Sequence, residues 1–361
     1  MGPTKTVVLD VVALTRGLIS EKDTPFLHGL IHGIGKNNEG AASSATIEPA
    51  FPALTCTAQL AYTTGKGAAG HGIVGNGFYD RQYCEVRNWH QSSGLVECPR
   101  LWHRLKEEHP GATVFVNGWW HGMHDQGIDF FVNVRPQYLQ DGGKKPDIYT
   151  HPTDLRHELQ GKFGTFPLHR FWGPTTGIEA SRWIAESSIH VDKAHDPTLT
   201  FVYLPHMDYS LQKFGPADRL HVPADLRQID ALVERLVNYY EGERRARVII
   251  LSEYGISPVD RPVCLNKELR RAGWLRIRTE CGGETLDCGE SPAFAVCDHQ
   301  IAHVYVRQPS NVERVRTFLA TVPGVERVMD GAELDAYYAA KGHGGPGAAA
   351  AAGAVAAAGR G

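Results

Sequence analysis

The chain has 361 residues, 42% of them hydrophobic, enough apolar material to bury one large core or two smaller ones. Its 37 basic residues against 40 acidic ones leave a net charge of −3, which argues against bulk attraction to a nucleic-acid polymer. Seven cysteines with no close metal-finger spacing, and an odd count, argue against a disulfide framework and are read as reduced thiols in an intracellular protein.

The first expected element is a β-branched strand from Val7 to Val12 that carries Asp10. No basic leader and apolar stretch precede it, and no apolar run is long enough to span a bilayer, so the expected location is the cytoplasm. Further buried strands are expected over Thr113–Asn117, Thr198–Leu204 and Val248–Leu251. Between the last two, Leu226, Ile229, Leu232, Leu236, Val237 and Tyr240 recur at helical spacing after Pro223. Strands alternating with helical patterns predict an α/β fold with a mostly parallel sheet flanked by helices.

Residues 85–185 differ from the rest, being rich in tryptophan, histidine, glycine and proline, and are expected to form an inserted cap. Its aromatic residues serve equally well to line a cleft or to fill a small secondary core. The expected organisation is therefore a single α/β domain over 1–340 with this cap. Residues 341–361, almost wholly glycine and alanine, are expected to be a disordered tail, because they bring too little apolar bulk to offset ordering entropy.

In open α/β sheets chemistry gathers beyond the carboxyl ends of the strands. Asp10, the His206-Met207-Asp208 turn and Ser252-Glu253-Tyr254 all fall at such ends. Polar residues also end strands for solvation alone, so a more specific signal is needed. It lies in Glu48 to Asp80, which includes Pro52-Ala-Leu-Thr55-Cys56, then Thr64-Gly65, then His71-Gly72-Ile73-Val-Gly-Asn76. This stretch resembles the type I phosphodiesterase/nucleotide pyrophosphatase family of the alkaline phosphatase superfamily. By that resemblance the fold is alkaline-phosphatase-like and Thr55 is the nucleophile; read alone, Thr55 is more readily a helix N-cap. The related sulfatases fit less well, since their Cys-x-Pro-x-Arg pattern is absent after Cys56.

The resemblance extends to Asp208 and to Glu253-Tyr254, with departures. The family places an aspartate and, four residues later, a histidine after the strand; here the second position is Gln212. Where the family has Asp-His-Gly, this chain has Glu253-Tyr254-Gly255. Aligning Ala13-Leu14 with the family's first-strand pattern leaves Asp10 two residues early, on the same strand face. The resemblance implies a divalent cation, one or two ions among zinc, manganese, magnesium and calcium, held by Asp10, Asp208, Gln212 and Glu253. Amide and carboxylate oxygens tilt the choice away from zinc. Tyr254 is expected to donate a hydrogen bond. His299 and His303 are further candidates, expected to share a face because an Ile301–Val306 strand brings residues four apart together. The implied substrate is a small phosphorylated molecule; the alternative is a non-catalytic family member that binds a phosphorylated ligand or a protein partner.

Overall fold

The computed structural model describes residues 2–34, 42–280, 282–340 and 354–358. The chain divides into two compact units, one of residues 1–49, 92–94 and 99–258, the other of 50–91, 95–98 and 259–361.

The first unit is built on a six-stranded sheet. Its strands are β1 (Thr6–Val11), β2 (Val114–Asn117), β3 (Phe130–Val134), β4 (Ile148–His151), β5 (Leu199–Leu204) and β6 (Arg247–Leu251). They lie in the order β6-β1-β5-β2-β3-β4, and only the β3–β4 pair is antiparallel. Strands β2, β3 and β4 all come from the stretch whose composition suggests an insertion. Every residue of β5 is buried, as expected for a parallel strand covered on both faces.

Three helices matter for the site. Helix α2 (Ile178–His195) buries Ile178, Trp183, Ile184 and Ile189. Helix α3 (His206–Phe214) starts directly after Pro205 and stops at Gly215, whose φ of 80° ends the helix where a side chain would be strained. Helix α4 (Val222–Val237) buries Leu226, Ile229, Leu232 and Leu236, the stripe read from the sequence. A π-helical turn, Asn238–Glu243, continues it and keeps Tyr240 fully buried. Each fully buried aliphatic side chain on such a stripe contributes about 1.5–3 kcal/mol. Asn117, at the end of β2, ties the sheet to α2 by donating its amide to the Ser187 and Ser188 hydroxyls, both at 2.9 Å.

The second unit contains a four-stranded antiparallel sheet, β7 (Ala293–Asp298), β8 (Ile301–Val306), β9 (Val325–Met329) and β10 (Ala354–Ala358), in the order β7-β8-β10-β9. Of the segment read as a disordered tail, residues 341–353 and 359–361 lie outside the described residues. This unit also contains α1 (Thr55–Thr64), closed by the left-handed Gly65. Phe294, Val296, Val304, Leu265 and Leu319 belong to its core.

Candidate active site

In the first unit the parallel strands bring acids to their carboxyl ends. Asp10, near the end of β1, pairs across the sheet with Tyr203 of β5 on one side and Leu251 of β6 on the other. Asp208 sits in the first turn of α3, just after β5. Glu253 follows β6. Asp10, Asp208 and Glu253 are 0%, 5% and 1% exposed, a concentration of buried carboxyl groups that ordinary solvation of strand ends does not require.

Asp208 is the best-defined member. Gln212, one helical turn on, donates its amide nitrogen to Asp208 Oδ2 at 2.9 Å. The Tyr254 hydroxyl donates to Asp208 Oδ1 at 3.1 Å. The sequence reading of Tyr254 as a donor thus has a geometric counterpart, and Gln212 presents a donor where a ligand was expected. Both bonds fix the orientation of the Asp208 carboxyl group.

Two tyrosines that sequence reasoning passed over complete this cluster. Burial, then the charges of Glu253 and Asp208 among others, pushes the Tyr203 hydroxyl well above its ordinary range. Burial and Asp208 do the same for Tyr209, against a hydrogen bond to Trp172. Both therefore stay protonated beside the acids. The available signal was register: in a parallel pair, the residue of β5 opposite Asp10 shares its face.

In the chemistry of its donors this set fits a cation that prefers oxygen ligands. Its arrangement fits less well: among the described residues, no three of His, Cys, Asp and Glu converge as a metal-holding group.

The second unit holds Thr55. It is the first residue of α1 and 3% exposed, while Leu54, with φ −138° and ψ 157°, occupies the N-cap. The N-cap reading of Thr55 is therefore displaced by one residue. The start of α1 is pinned by neighbours: the Thr57 hydroxyl donates to the Leu54 carbonyl at 2.9 Å, and Cys56 N–H donates to Asn76 Oδ1 at 3.0 Å. Asn76 is held in turn by Asp298, which accepts from its backbone N–H at 2.7 Å and its side-chain amide at 3.2 Å. Asn76 lies inside the most informative sequence motif, yet only the fold reveals its partner 222 positions away.

The two candidate histidines both stand near Asp298 but make different contacts. His299 falls in the turn before β8, with φ 56°, and pairs through Nδ1 with Asp298 at 2.9 Å. The period of two assumed for both residues does not reach it, because the strand begins at Ile301. His303 is buried and its Nε2 donates to the Val74 carbonyl at 3.0 Å. Burial lowers its pKa despite that bond, which favours the neutral ring.

Residues 6–346 match the family described as Type I phosphodiesterase / nucleotide pyrophosphatase. A curated relative, ectonucleotide pyrophosphatase/phosphodiesterase 1 of Saccharomyces cerevisiae, is 31% identical over 279 residues, which is 70% of this chain. The chain spans about a third (34%) of that relative's length. Among solved structures, phosphonoacetate hydrolase from Sinorhizobium meliloti 1021 aligns with a TM-score of 0.63 at 14% identity, covering 99% of this chain and 81% of that one. Murine ectonucleotide pyrophosphatase / phosphodiesterase 5 aligns with a TM-score of 0.62 at 15% identity, over 98% and 78%. These structural likenesses establish an alkaline-phosphatase-like fold, and the match over nearly the whole sequence establishes that the chain belongs to the type I phosphodiesterase/nucleotide pyrophosphatase family.

Proposed function

We propose that the protein is a phosphoric-ester hydrolase of the phosphodiesterase/nucleotide pyrophosphatase type, with Thr55 as nucleophile and one or two divalent cations assisting. The observation that carries this reading is Thr55 as the first residue of a helix, inside the family's most specific motif. The free N–H groups of a helix start attract a phosphoryl group, and the helix dipole favours an alkoxide there. In the proposed reaction the Thr55 oxygen forms a bond to phosphorus as the bond to the leaving oxygen breaks. Water then attacks the same phosphorus and releases Thr55 with its hydrogen restored.

Asp10, Asp208 and Glu253 are the residues that would hold a cation once drawn together, since among the described residues no three such side chains converge as a metal-holding group. Such an ion supplies charge neutralisation at the phosphoryl oxygens and eases loss of the hydroxyl proton. Gln212 and Tyr254 orient Asp208. The substrate class is a small phosphodiester, pyrophosphate or phosphomonoester. Turnover of nitrophenyl phosphodiesters and monoesters, with manganese, magnesium, calcium or zinc added back after chelation, tests the proposal. Cation-dependent release of nitrophenol is expected; no turnover with any cation would overturn it.

One observation favours a second reading, a non-catalytic member that binds a phosphorylated ligand. Both Asp208 oxygens accept hydrogen bonds from Gln212 and Tyr254, at positions where the family pattern has histidines. Saturable nucleotide binding without hydrolysis or stoichiometric metal would select that alternative.

A further inference from the structure

Cys264 and Cys297, both exposed residues, belong to the same unit and flank a clamp between the Asn266 side chain and the Ala295 backbone. Asn266 donates its side-chain amide to the Ala295 carbonyl at 2.8 Å and accepts the Ala295 N–H at 2.7 Å. Its side chain thus takes the place of a neighbouring strand along β7, the edge strand of the antiparallel sheet. Cys264 lies two residues before the clamp on one segment, and Cys297 two residues after it on the other. Burial, then the Cys264 charge, then Asp298, pushes the Cys297 thiol up.

From this clamped pair of exposed thiols we infer that Cys264 and Cys297 are a site of reversible disulfide formation. The oxidant is a low-molecular-weight disulfide such as oxidised glutathione. One thiolate attacks it, forming a mixed disulfide and expelling one glutathione thiolate. The second cysteine attacks the protein sulfur of that mixed disulfide and expels the second glutathione. Two protein thiols lose two hydrogens and one external disulfide becomes two thiols, so electrons balance.

The position has a consequence within the unit. Cys297 immediately precedes Asp298, whose carboxylate holds Asn76, which caps Cys56 N–H at the start of α1. A cross-link at Cys297 therefore fixes the strand end from which that chain of hydrogen bonds begins. The other cysteines offer a built-in comparison, since Cys84 is also exposed and Cys98 and Cys288 are partly exposed.

The test incubates the folded 361-residue chain with excess oxidised glutathione, blocks free thiols, and maps unreduced peptides by mass spectrometry. The expected product is a peptide pair joined through Cys264 and Cys297, lighter by two hydrogens and reversed by reductant. Cys264→Ser and Cys297→Ser should each leave a stable glutathione adduct on the remaining partner. Separate glutathione adducts on both residues of the unaltered protein, linkage of either to another cysteine, or no modification of either would overturn the inference. The readout is covalent and does not depend on the hydrolase reading.

Discussion

Gln212 shows how one side chain sets the character of a site. As an amide it donates to Asp208 at 2.9 Å; as an imidazole one helical turn from the same carboxylate it would offer a nitrogen ligand. Gln212→His is therefore expected to raise zinc affinity relative to manganese by roughly tenfold or more, since ligand and orienting residues change metal affinity by about 10–100-fold. Competition of the two ions for the chelated protein measures this. An unchanged ratio would contradict placing the cation at Asp208. Asp208 and Glu253 could be singled out in the sequence because each lies within four residues of the end of an apolar run. Tyr203 and Tyr209 were not, because a tyrosine in or beside a buried strand reads as core until the register puts it near acids.

At the scale of the element, Asn76 joins three segments: the start of α1, its own loop and the end of β7. Asn76→Ala leaves Asp298 with one fewer donor, since the backbone N–H at position 76 remains, and Cys56 N–H without this acceptor. A loss of about 1–3 kcal/mol per stranded buried group is expected, read as a lower denaturation midpoint at unchanged slope. A midpoint within error of the parent would show that the bridge carries no stability. Asp147 in the first unit offers a pH test. Burial alone would raise its pKa, but hydrogen bonds from Arg156, Gln137 and the Ile148 backbone overcome that and bring it from 3.8 to about 2. A depressed carboxyl pKa stabilises the fold above the unfolded value, and that contribution is lost as pH falls through about 2. Asp147→Asn should thus be less stable than the parent at neutral pH and converge with it towards pH 2; a pH-independent difference would contradict the assignment. Helices and strands with one strong period were legible at this scale, as Leu226 to Leu236 and Ile301 to Val306 show. His299 was misplaced because its left-handed turn, φ 56°, interrupts the period, and composition alone hid the two strands Phe130–Val134 and Ile148–His151, whereas the strand ending at Asn117 was legible.

For the whole molecule, the α/β class followed from alternating strand and helix patterns, whereas the division into two units did not. Residues 50–91 and 259–361 meet in one unit through pairings such as Asn76–Asp298 that no local signal announces. Cation binding is expected to couple to stability, because a ligand that binds only the folded chain stabilises it by about 2.7 kcal/mol at one hundred times its dissociation constant. Adding manganese to chelated protein should raise the melting temperature, and Asp208→Asn should remove most of that rise. An equal rise in both proteins would place the ion elsewhere. No helix among the described residues is long and apolar enough to cross a membrane.

The account depends most on Thr55. Its direct test is the hydrolysis rate of a nitrophenyl phosphodiester by the parent, Thr55→Ser and Thr55→Ala proteins, each with bound cation and melting temperature measured alongside. Leu54, not Thr55, occupies the N-cap, so removing the hydroxyl is expected to leave stability nearly unchanged. A covalent route predicts turnover in the parent and the serine variant, none in the alanine variant, and similar melting temperatures for all three. Substantial turnover by Thr55→Ala with its cation still bound would mean that water attacks phosphorus directly, and would contradict the assignment of Thr55.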